Sequence, residues 1–326
     1  MEKQEIIDLI SENGSPTQKY IISRDILSID KNSPDMLDLQ ERIVNSKEVQ
    51  KILKKQNSDG WFGIYLHGGA GDAMDGSVAK LKELGVEAHH DFMQKAKQAL
   101  YADEYPTKAK RSYPPVESFH FSRAQTLANL HISGEKADDL LVKFQNELIE
   151  KYKRAAHIDS LDEVSREIKS PKFMGARAWR EDKENVFPWP SDFIVLGSSL
   201  NWKTPATTSI ITAAMENVAR LAPIPNIFGY YGNHYVAPIC SYELFDCSDD
   251  CCEFAKGRGF WLRDYNHLCK ICDIEKIPHY FRQAEKLAER IAENSLMENL
   301  KIAEFDEIVD AYFKALQILH NAKIEF

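Results

Sequence analysis

Apolar residues that recur every three or four positions are the feature that most constrains the fold of this chain. Met36, Leu39 and Ile43 keep this spacing near the N-terminus, and segments 277–295 and 305–323 keep it near the C-terminus. That period places the apolar side chains on one face of an α-helix, whereas a half-buried strand alternates with a period of two. The pattern therefore predicts a mostly α protein built from helical hairpins.

Helix-start and helix-stop residues divide the N-terminal part of this pattern. Ser46 stands in the position of an N-cap, and Gly85 stands where a helix would end in a left-handed residue. No segment of residues 33–102 alternates convincingly, so we expect successive helical hairpins there. The glycine-rich segment 67–76, HGGAGDAMDG, lacks the Gly-Lys-Ser/Thr ending of a phosphate-binding loop and follows no predicted strand. We expect it to be a loop between helices.

The chain length of 326 residues suits one large domain, and we treat the whole chain as a single helical domain with two sub-regions. Residues 1–110 form the helical-repeat part, in which the proline-rich segment from 103 onward begins a long connection. Residues 111–326 form the second part, which carries an irregular insertion at 170–280, rich in aromatic residues and cysteines. Within that insertion, residues 223–239 would form either a short strand or an extended aromatic loop.

Large aromatic residues are concentrated in the same insertion. They would line a cavity for an apolar or cationic ligand, or they would fill the core and cover long loops. The residues concerned are Trp179, Trp189, Trp202, Tyr230, Tyr231, Tyr235 and Trp261.

Charge and hydropathy exclude several classes of partner. The formal net charge is −9, which provides no basic surface of the kind that binds a phosphate backbone, so we expect no nucleic acid partner. No apolar run approaches the twenty or so residues of a membrane span. The N-terminus shows neither a secretory signal nor a lipidation motif. We therefore expect a cytoplasmic protein without a membrane span.

The segment QNSDGWFG, residues 56–63, leaves a run of helix formers through an Asp-Gly turn flanked by a glutamine and a tryptophan. With the helix that follows at VAKLKELGV, it resembles one repeat of the terpene-cyclase and protein-prenyltransferase superfamily. Residues 198–239 are similar to uncharacterised bacterial proteins labelled prenyltransferase-like. The resemblance implies an α/α toroid, in which paired helices close into a ring. It also implies that Gln56 caps the next helix while Trp61 packs over the turn formed by Asp59 and Gly60.

The chain also departs from the patterns of that superfamily. Cyclase repeats have a residue between the glycine and the tryptophan, which is absent here, and the turn occurs in one clear copy. The cyclase Asp-x-Asp-Asp motif has its nearest counterpart in Asp72 and Asp75, which have the wrong spacing. The Asp-Asp-x-x-Asp motif of isoprenyl synthases is incomplete at both Asp-Asp pairs, 138–139 and 249–250. The resemblance therefore implies a fold and a class of ligand, but it identifies no catalytic residue.

Two short-spaced cysteine pairs suggest a zinc site. Cys247 and Cys251 form one pair, and Cys269 and Cys272 form the other, with seventeen residues between the pairs. Zinc takes four thiolate or imidazole ligands in a tetrahedron, and two such pairs can supply them. The alternatives are that these cysteines are small buried apolar residues, or that one thiol is a nucleophile activated by His267.

Two function classes follow from these observations. The first is a toroid-like enzyme or carrier whose central cavity binds a small apolar, isoprenoid-like molecule, with Trp61, His67 and Asp72 as candidate ligand-binding residues. The second is a non-catalytic helical-repeat module that holds a peptide or protein partner, with a structural zinc site as an option. Carboxylates converging on a closed, aromatic-lined cavity would favour the first class, and an open groove would favour the second.

Overall fold

Helices make up most of the computed structural model, so the prediction of a mostly α fold is confirmed. The structure describes residues 1–102, 119–168, 177–179, 186, 188–221, 227–231, 234–240, 259–300 and 304–326. Within these ranges the helices are α1 (Lys3–Asn13), α2 (Pro16–Asp25), α3 (Pro34–Val44), α4 (Lys47–Leu53), α5 (Met74–Glu83), α6 (Asp91–Tyr101), α7 (Phe119–Asn129), α8 (Asp139–Ala155), α9 (Pro190–Ser198), α10 (Pro205–Leu221), α11 (Gly259–Ile271), α12 (Pro278–Ala292), α13 (Leu296–Leu300) and α14 (Phe305–Ala322). Single turns of 3-10 helix lie at Leu161–Glu163 and Ile274–Lys276.

Local capping explains where several helices begin and end. The Ser46 hydroxyl accepts a hydrogen bond from the backbone N–H of Val49, as predicted for an N-cap. Gly85 has φ +85°, which confirms the predicted left-handed residue at the end of α5. Helix α2 was not predicted, although Ser15 and Gln18 form a capping box ahead of it. Its apolar residues are too few to make a clear stripe.

Five strands lie in the described part of the chain. They are β1 (Tyr65–Ala70), β2 (Ser165–Glu167), β3 (Arg177–Trp179), β4 (Ile227–Tyr231) and β5 (His234–Cys240). Strands β2 to β5 form a four-stranded sheet in sequence order, with an antiparallel β2/β3 pair, a parallel β3/β4 pair and an antiparallel β4/β5 pair. The hairpin of β4 and β5 confirms the strand alternative for residues 223–239.

The prediction that residues 33–102 contain no strand is wrong. Strand β1 lies outside the four-stranded sheet, and its end residue Tyr65 forms a parallel bridge with Ala73. It packs against α5 and α7. Its extended conformation therefore depends on docking to these helices rather than on a long alternating pattern, which is why periodicity did not identify it.

The prediction of an irregular insertion is wrong for residues 190–198 and 259–271, which form α9 and α11. The consecutive residues Phe193, Ile194, Val195 and Leu196 are all buried in α9. A helix that is covered on all sides shows no amphipathic period, so its sequence cannot be distinguished from a buried strand. For α11, the Cys-rich sequence suggested a metal-binding loop.

The first and last helices pack against each other. Ile6, Ile7 and Ile10 of α1 are buried in one apolar core with residues of α8 to α14. A second core joins α2 to α8 and includes Ile194 and Val195 of α9.

Six helices contact one another in sequence around the protein. Helix α5 contacts α7, α7 contacts α9, α9 contacts α11, α11 contacts α14, and α14 contacts α2. None of the helices in the described ranges has the length and apolar character that crossing a lipid bilayer requires.

Candidate functional site

The Asp-Gly turn after α4 holds Trp61 inside the protein. Gln56 Nε2 donates hydrogen bonds to the carbonyl oxygens of Gly60 (3.0 Å) and Phe92 (2.8 Å), which ties the turn to the start of α6. The Asp59 carboxylate accepts from the backbone N–H of Trp61 at 3.1 Å. The Trp61 side chain is 1% exposed and belongs to the second core. Trp61 therefore stabilises the fold beneath the glycine-rich segment.

Strand β1 brings His67 to the surface beside an aromatic residue. Leu66 is fully buried, while Tyr65 and His67 are exposed on the opposite side of the strand. Alternate residues of a strand point to the same side, so Tyr65 and His67 share one face. Ile64, immediately before the strand, is also exposed. The Tyr65 ring and the His67 imidazole are thus exposed on the same side of the strand.

A buried carboxylate orients His67. Its Nδ1 lies 2.6 Å from Oδ2 of Asp75, in the first turn of α5. The same carboxylate accepts from the backbone N–H groups of Gly68 (3.0 Å) and Gly76 (2.6 Å) through Oδ1. A carboxylate can only accept, so Nδ1 carries the proton and Nε2 is the nitrogen directed away from Asp75. The Asp75 hydrogen bond raises the pKa of His67 above its ordinary value of 6.5.

Ser122 completes the polar cluster but does not form a catalytic triad with it. Its Oγ lies 3.2 Å from Nδ1 of His67, the nitrogen that Asp75 also contacts. In a Ser-His-Asp triad the serine bonds Nε2 and the carboxylate bonds Nδ1. Ser122 is also fully buried in α7, where a substrate carbonyl cannot reach it. We therefore assign Ser122 to the positioning of the imidazole.

The three residues predicted to bind a ligand have different surroundings. His67 has a side chain that is 41% exposed and is held by Asp75. Asp72 is exposed, and its backbone carbonyl accepts from the N–H of Ile64. Trp61 is in the core. From the sequence, Asp75 was identified only as a residue with the wrong spacing for a cyclase motif. The glycines on both sides of it were the available signal that its carboxylate accepts hydrogen bonds from backbone N–H groups.

The second cysteine pair lies at the end of α11, and Cys269 is only partly buried. Cys272 is buried and its Sγ donates to the carbonyl of Leu268 at 3.1 Å. Burial raises the pKa of Cys269 to about 12 and raises that of Cys272 as well. A zinc ligand must be a thiolate, so zinc would have to displace the proton of each thiol. Cys247 and Cys251 lie outside the described residues, so the zinc site stays a prediction.

Other ligand positions give no metal site in the part of the chain that the structure describes. No group of three or more His, Cys, Asp or Glu side chains in those residues has an arrangement that could hold a metal ion. His267 lies against Gly197 of α9, where an added Cβ would be 2.4 Å from its Nδ1. That packing accounts for the glycine at this position.

The aromatic residues of the insertion are described only in part. Trp202 Nε1 donates to the carbonyl of Leu196 at 2.9 Å, and Trp189 packs beside the ammonium of Lys151. Both side chains pack against the first core. The side chains of Trp179, Tyr230, Tyr231, Tyr235 and Trp261 lie outside the described part.

Comparison of the chain with protein-family models, curated proteins and solved structures finds no match. The functional argument therefore depends on the geometry of the site itself.

Proposed function

We propose that the helices close into an α/α toroid. The contacts that run in turn through α5, α7, α9, α11, α14 and α2 support a ring of six inner helices. The hydroxyl of Thr17 in α2 donates to the carbonyl of Leu84 at 2.7 Å, which links the last of these helices to the end of α5. Contacts of α8 with α10 and of α10 with α12 support a second, outer layer, and α12 also contacts the inner helix α14.

Within this arrangement the protein binds a small apolar, isoprenoid-like molecule on the face formed by Tyr65 and His67. The observation that carries this proposal is the His67–Asp75 pair, because it presents an oriented imidazole on the same side of the strand as the exposed Tyr65 ring. Ligand sites commonly combine an apolar wall with a few fixed polar groups. The Tyr65 ring supplies apolar contact, and His67 supplies the polar contact.

His67 acts here as a hydrogen-bond donor toward an oxygen atom of the ligand. Asp75 fixes Nδ1 as a protonated nitrogen and raises the pKa of the ring, so Nε2 carries a proton over a wider pH range than in a free histidine. A hydrogen bond from an ionised donor contributes more than one from a neutral donor. A ligand with an apolar chain and a terminal oxygen meets both requirements of this face.

Binding of farnesol, an isoprenoid alcohol, to the full chain tests the proposal. We expect saturable binding by calorimetry, weakened about tenfold by His67→Asn, because a lost charge-assisted hydrogen bond costs about 1.4 kcal/mol or more. His157→Asn is the matched control, since His157 is an exposed histidine at the end of α8. Equal affinity of wild type and His67→Asn would exclude this site. Absence of any farnesol binding would favour the protein-interaction alternative.

A further inference from the structure

An aspartate or asparagine is followed by glycine at three places in the sequence. These pairs are Asn13–Gly14, Asp59–Gly60 and Asp75–Gly76. At such a pair the backbone nitrogen of the glycine can attack the side-chain carbonyl carbon of the residue before it, because glycine has no side chain to obstruct the close approach. The product is a five-membered succinimide ring, and its hydrolysis gives aspartate or isoaspartate. The fold decides which of the three nitrogens is placed to react.

At the first pair, both reacting groups are bonded to the preceding turn of α1. The backbone N–H of Gly14 donates to the carbonyl of Ile10 at 2.7 Å. The side-chain amide of Asn13 donates to the carbonyl of Leu9 at 3.1 Å. Attack of Gly14 on Asn13 would therefore break two hydrogen bonds at the end of the helix, and we expect this pair to stay intact in the folded protein.

At the second pair, the glycine nitrogen is directed away from the aspartate side chain. The backbone N–H of Gly60 donates to the carbonyl of Asn57 at 3.0 Å, while the Asp59 carboxylate accepts from the N–H of Trp61. Gly60 also lies against α6, where an added Cβ would be 2.5 Å from the carbonyl oxygen of Lys95. Turning the Gly60 nitrogen toward Asp59 would therefore disturb both the turn and its packing.

The third pair has the opposite arrangement. The backbone N–H of Gly76 donates to Oδ1 of Asp75 itself at 2.6 Å, so the nitrogen lies within about 4 Å of the Cγ carbon. Gly76 belongs to the first turn of α5, which begins at Met74. The N–H groups of a first turn have no carbonyl partner within the helix, so movement of this nitrogen onto Cγ breaks no bond of the helical ladder.

His67 holds the second oxygen of the same carboxylate. Its Nδ1 lies 2.6 Å from Oδ2 of Asp75. Formation of the ring joins the Gly76 nitrogen to Cγ and removes one carboxylate oxygen as water. That water takes one proton from the Gly76 N–H and one from the imidazolium, which becomes neutral. The Asp75 hydrogen bond raises the pKa of His67, so a larger fraction of the imidazole is protonated near neutral pH.

We propose that Asp75–Gly76 is a site of spontaneous isoaspartate formation in the folded protein, with His67 as the proton donor. In isoaspartate the main chain continues through the former side-chain carbon, so the carboxylate that contacted His67 becomes a peptide carbonyl. The modification therefore removes the partner that orients His67, and it requires no reagent other than water. It involves only the chain itself and does not depend on the proposed binding of an isoprenoid-like ligand.

Incubation of the full chain in H₂¹⁸O at about pH 6, where His67 is largely protonated, tests the proposal. Hydrolysis of each succinimide adds one ¹⁸O atom. Trypsin digestion in ordinary water then releases residues 56–80, which contain both Asp-Gly pairs, so fragment ions compare Asp59 and Asp75 within one peptide. We expect about tenfold more label at Asp75 than at Asp59 in the folded protein. Protein denatured in guanidinium chloride should show equal labelling.

Two variants separate the parts of the proposal. Gly76→Ala should reduce the label at Asp75 about tenfold and leave that at Asp59 unchanged, because a methyl group obstructs the approach of the nitrogen. His67→Asn should slow labelling of Asp75 in the folded protein only, and His157→Asn is its matched control because His157 is exposed at the end of α8. An unchanged rate in His67→Asn would overturn the role of His67 as proton donor.

The wild-type protein decides the main point even when a variant does not fold. Equal labelling of Asp59 and Asp75 in the folded protein, or labelling of Asp75 without isoaspartate, would overturn the proposal. NMR provides a second measurement, since the pKa of His67 should fall toward its ordinary value in the fraction that contains isoaspartate. An unchanged pKa in that fraction would show that the modification leaves the imidazole in its original surroundings, against the proposal.

Discussion

Nδ1 of His67 lies 2.6 Å from Oδ2 of Asp75, and this contact joins β1 to the first turn of α5. Asp75 is buried, but its carboxylate accepts from two backbone N–H groups in addition to the imidazole. Those bonds compensate for the loss of hydration, because a buried carboxylate requires several donors. The pair therefore fixes the glycine-rich segment and orients the imidazole at the same time.

Asp75→Asn should lower the pKa of His67 toward its ordinary value, because the Asp75 hydrogen bond is the main cause of the increase. The interaction of Asp75 with the imidazolium stabilises the fold below about pH 6.5, and this contribution disappears as the pH rises through the higher folded-state pKa. The variant should therefore lose more stability at about pH 5.5 than at about pH 8.5.

NMR titration of His67 and urea unfolding at both pH values measure these two effects. Asp72→Asn is the control, since Asp72 is exposed and no hydrogen bond joins its side chain to His67 in the described part of the chain. An unchanged pKa of His67 in Asp75→Asn would contradict the assigned contact.

Gly60→Ala should destabilise the protein much more than Gly134→Ala. Both glycines have nearly the same left-handed backbone, with φ +91° and +90°. A Cβ on Gly60 would lie 2.5 Å from the backbone carbonyl oxygen of Lys95, whereas one on Gly134 would meet no atom within 4 Å. Gly134→Ala should cost about 1–2 kcal/mol of unfolding free energy from backbone strain alone. Gly60→Ala should cost about 4 kcal/mol or more, since backbone atoms must shift as well.

Urea unfolding monitored by circular dichroism compares these two variants directly. Equal losses would show that the turn at Gly60 does not pack against α6 as described.

Glu87→Gln should destabilise the protein by about 2 kcal/mol near neutral pH, because it leaves Arg24 without one of its charged partners. Burial by itself would raise the pKa of Glu87, but Lys82 and Arg24 outweigh burial and lower it. A lowered carboxyl pKa stabilises the fold above the pKa of the unfolded state, and this contribution is lost as the pH falls through the folded-state pKa. The difference between wild type and variant should therefore shrink in acid.

Measuring the unfolding free energies of wild type and variant between about pH 3.5 and 7 tests this prediction. Asp38→Asn serves as the comparison, since Asp38 forms an exposed pair with Arg42 at 3.6 Å and should change stability little. A pH-independent difference for Glu87→Gln would argue against a charged Glu87 in the folded protein.

Cys269 and Cys272 should react slowly with iodoacetamide in the native protein. With a pKa of about 12 for Cys269, only about one thiol in ten thousand is ionised at pH 8, and the thiolate is the reactive form. Peptide mapping by mass spectrometry distinguishes these residues from the other cysteines, and the protein in urea gives the unprotected rate. Rapid native alkylation at Cys269 would mean that the thiol is less buried than described.

Some of these features are encoded within one or two helical turns, and the sequence alone determined them. The spacing of Met36, Leu39 and Ile43 predicted a helix that the structure contains as α3. Ser46 and Gly85 marked a helix start and a helix end through bonds and dihedral angles that involve their immediate neighbours. The mostly α character follows from repeating such local signals along the chain.

The candidate site was decided by the tertiary structure, because its residues are distant in sequence. Ser122 reaches His67 across 55 positions, and only the packing of α7 on β1 and α5 brings the two together. Strand β1 and the buried helix α9 also depend on tertiary contacts, which is why the sequence did not predict them. Their conformations are set by what covers them, and a sequence pattern records burial on one face only when the other face meets water.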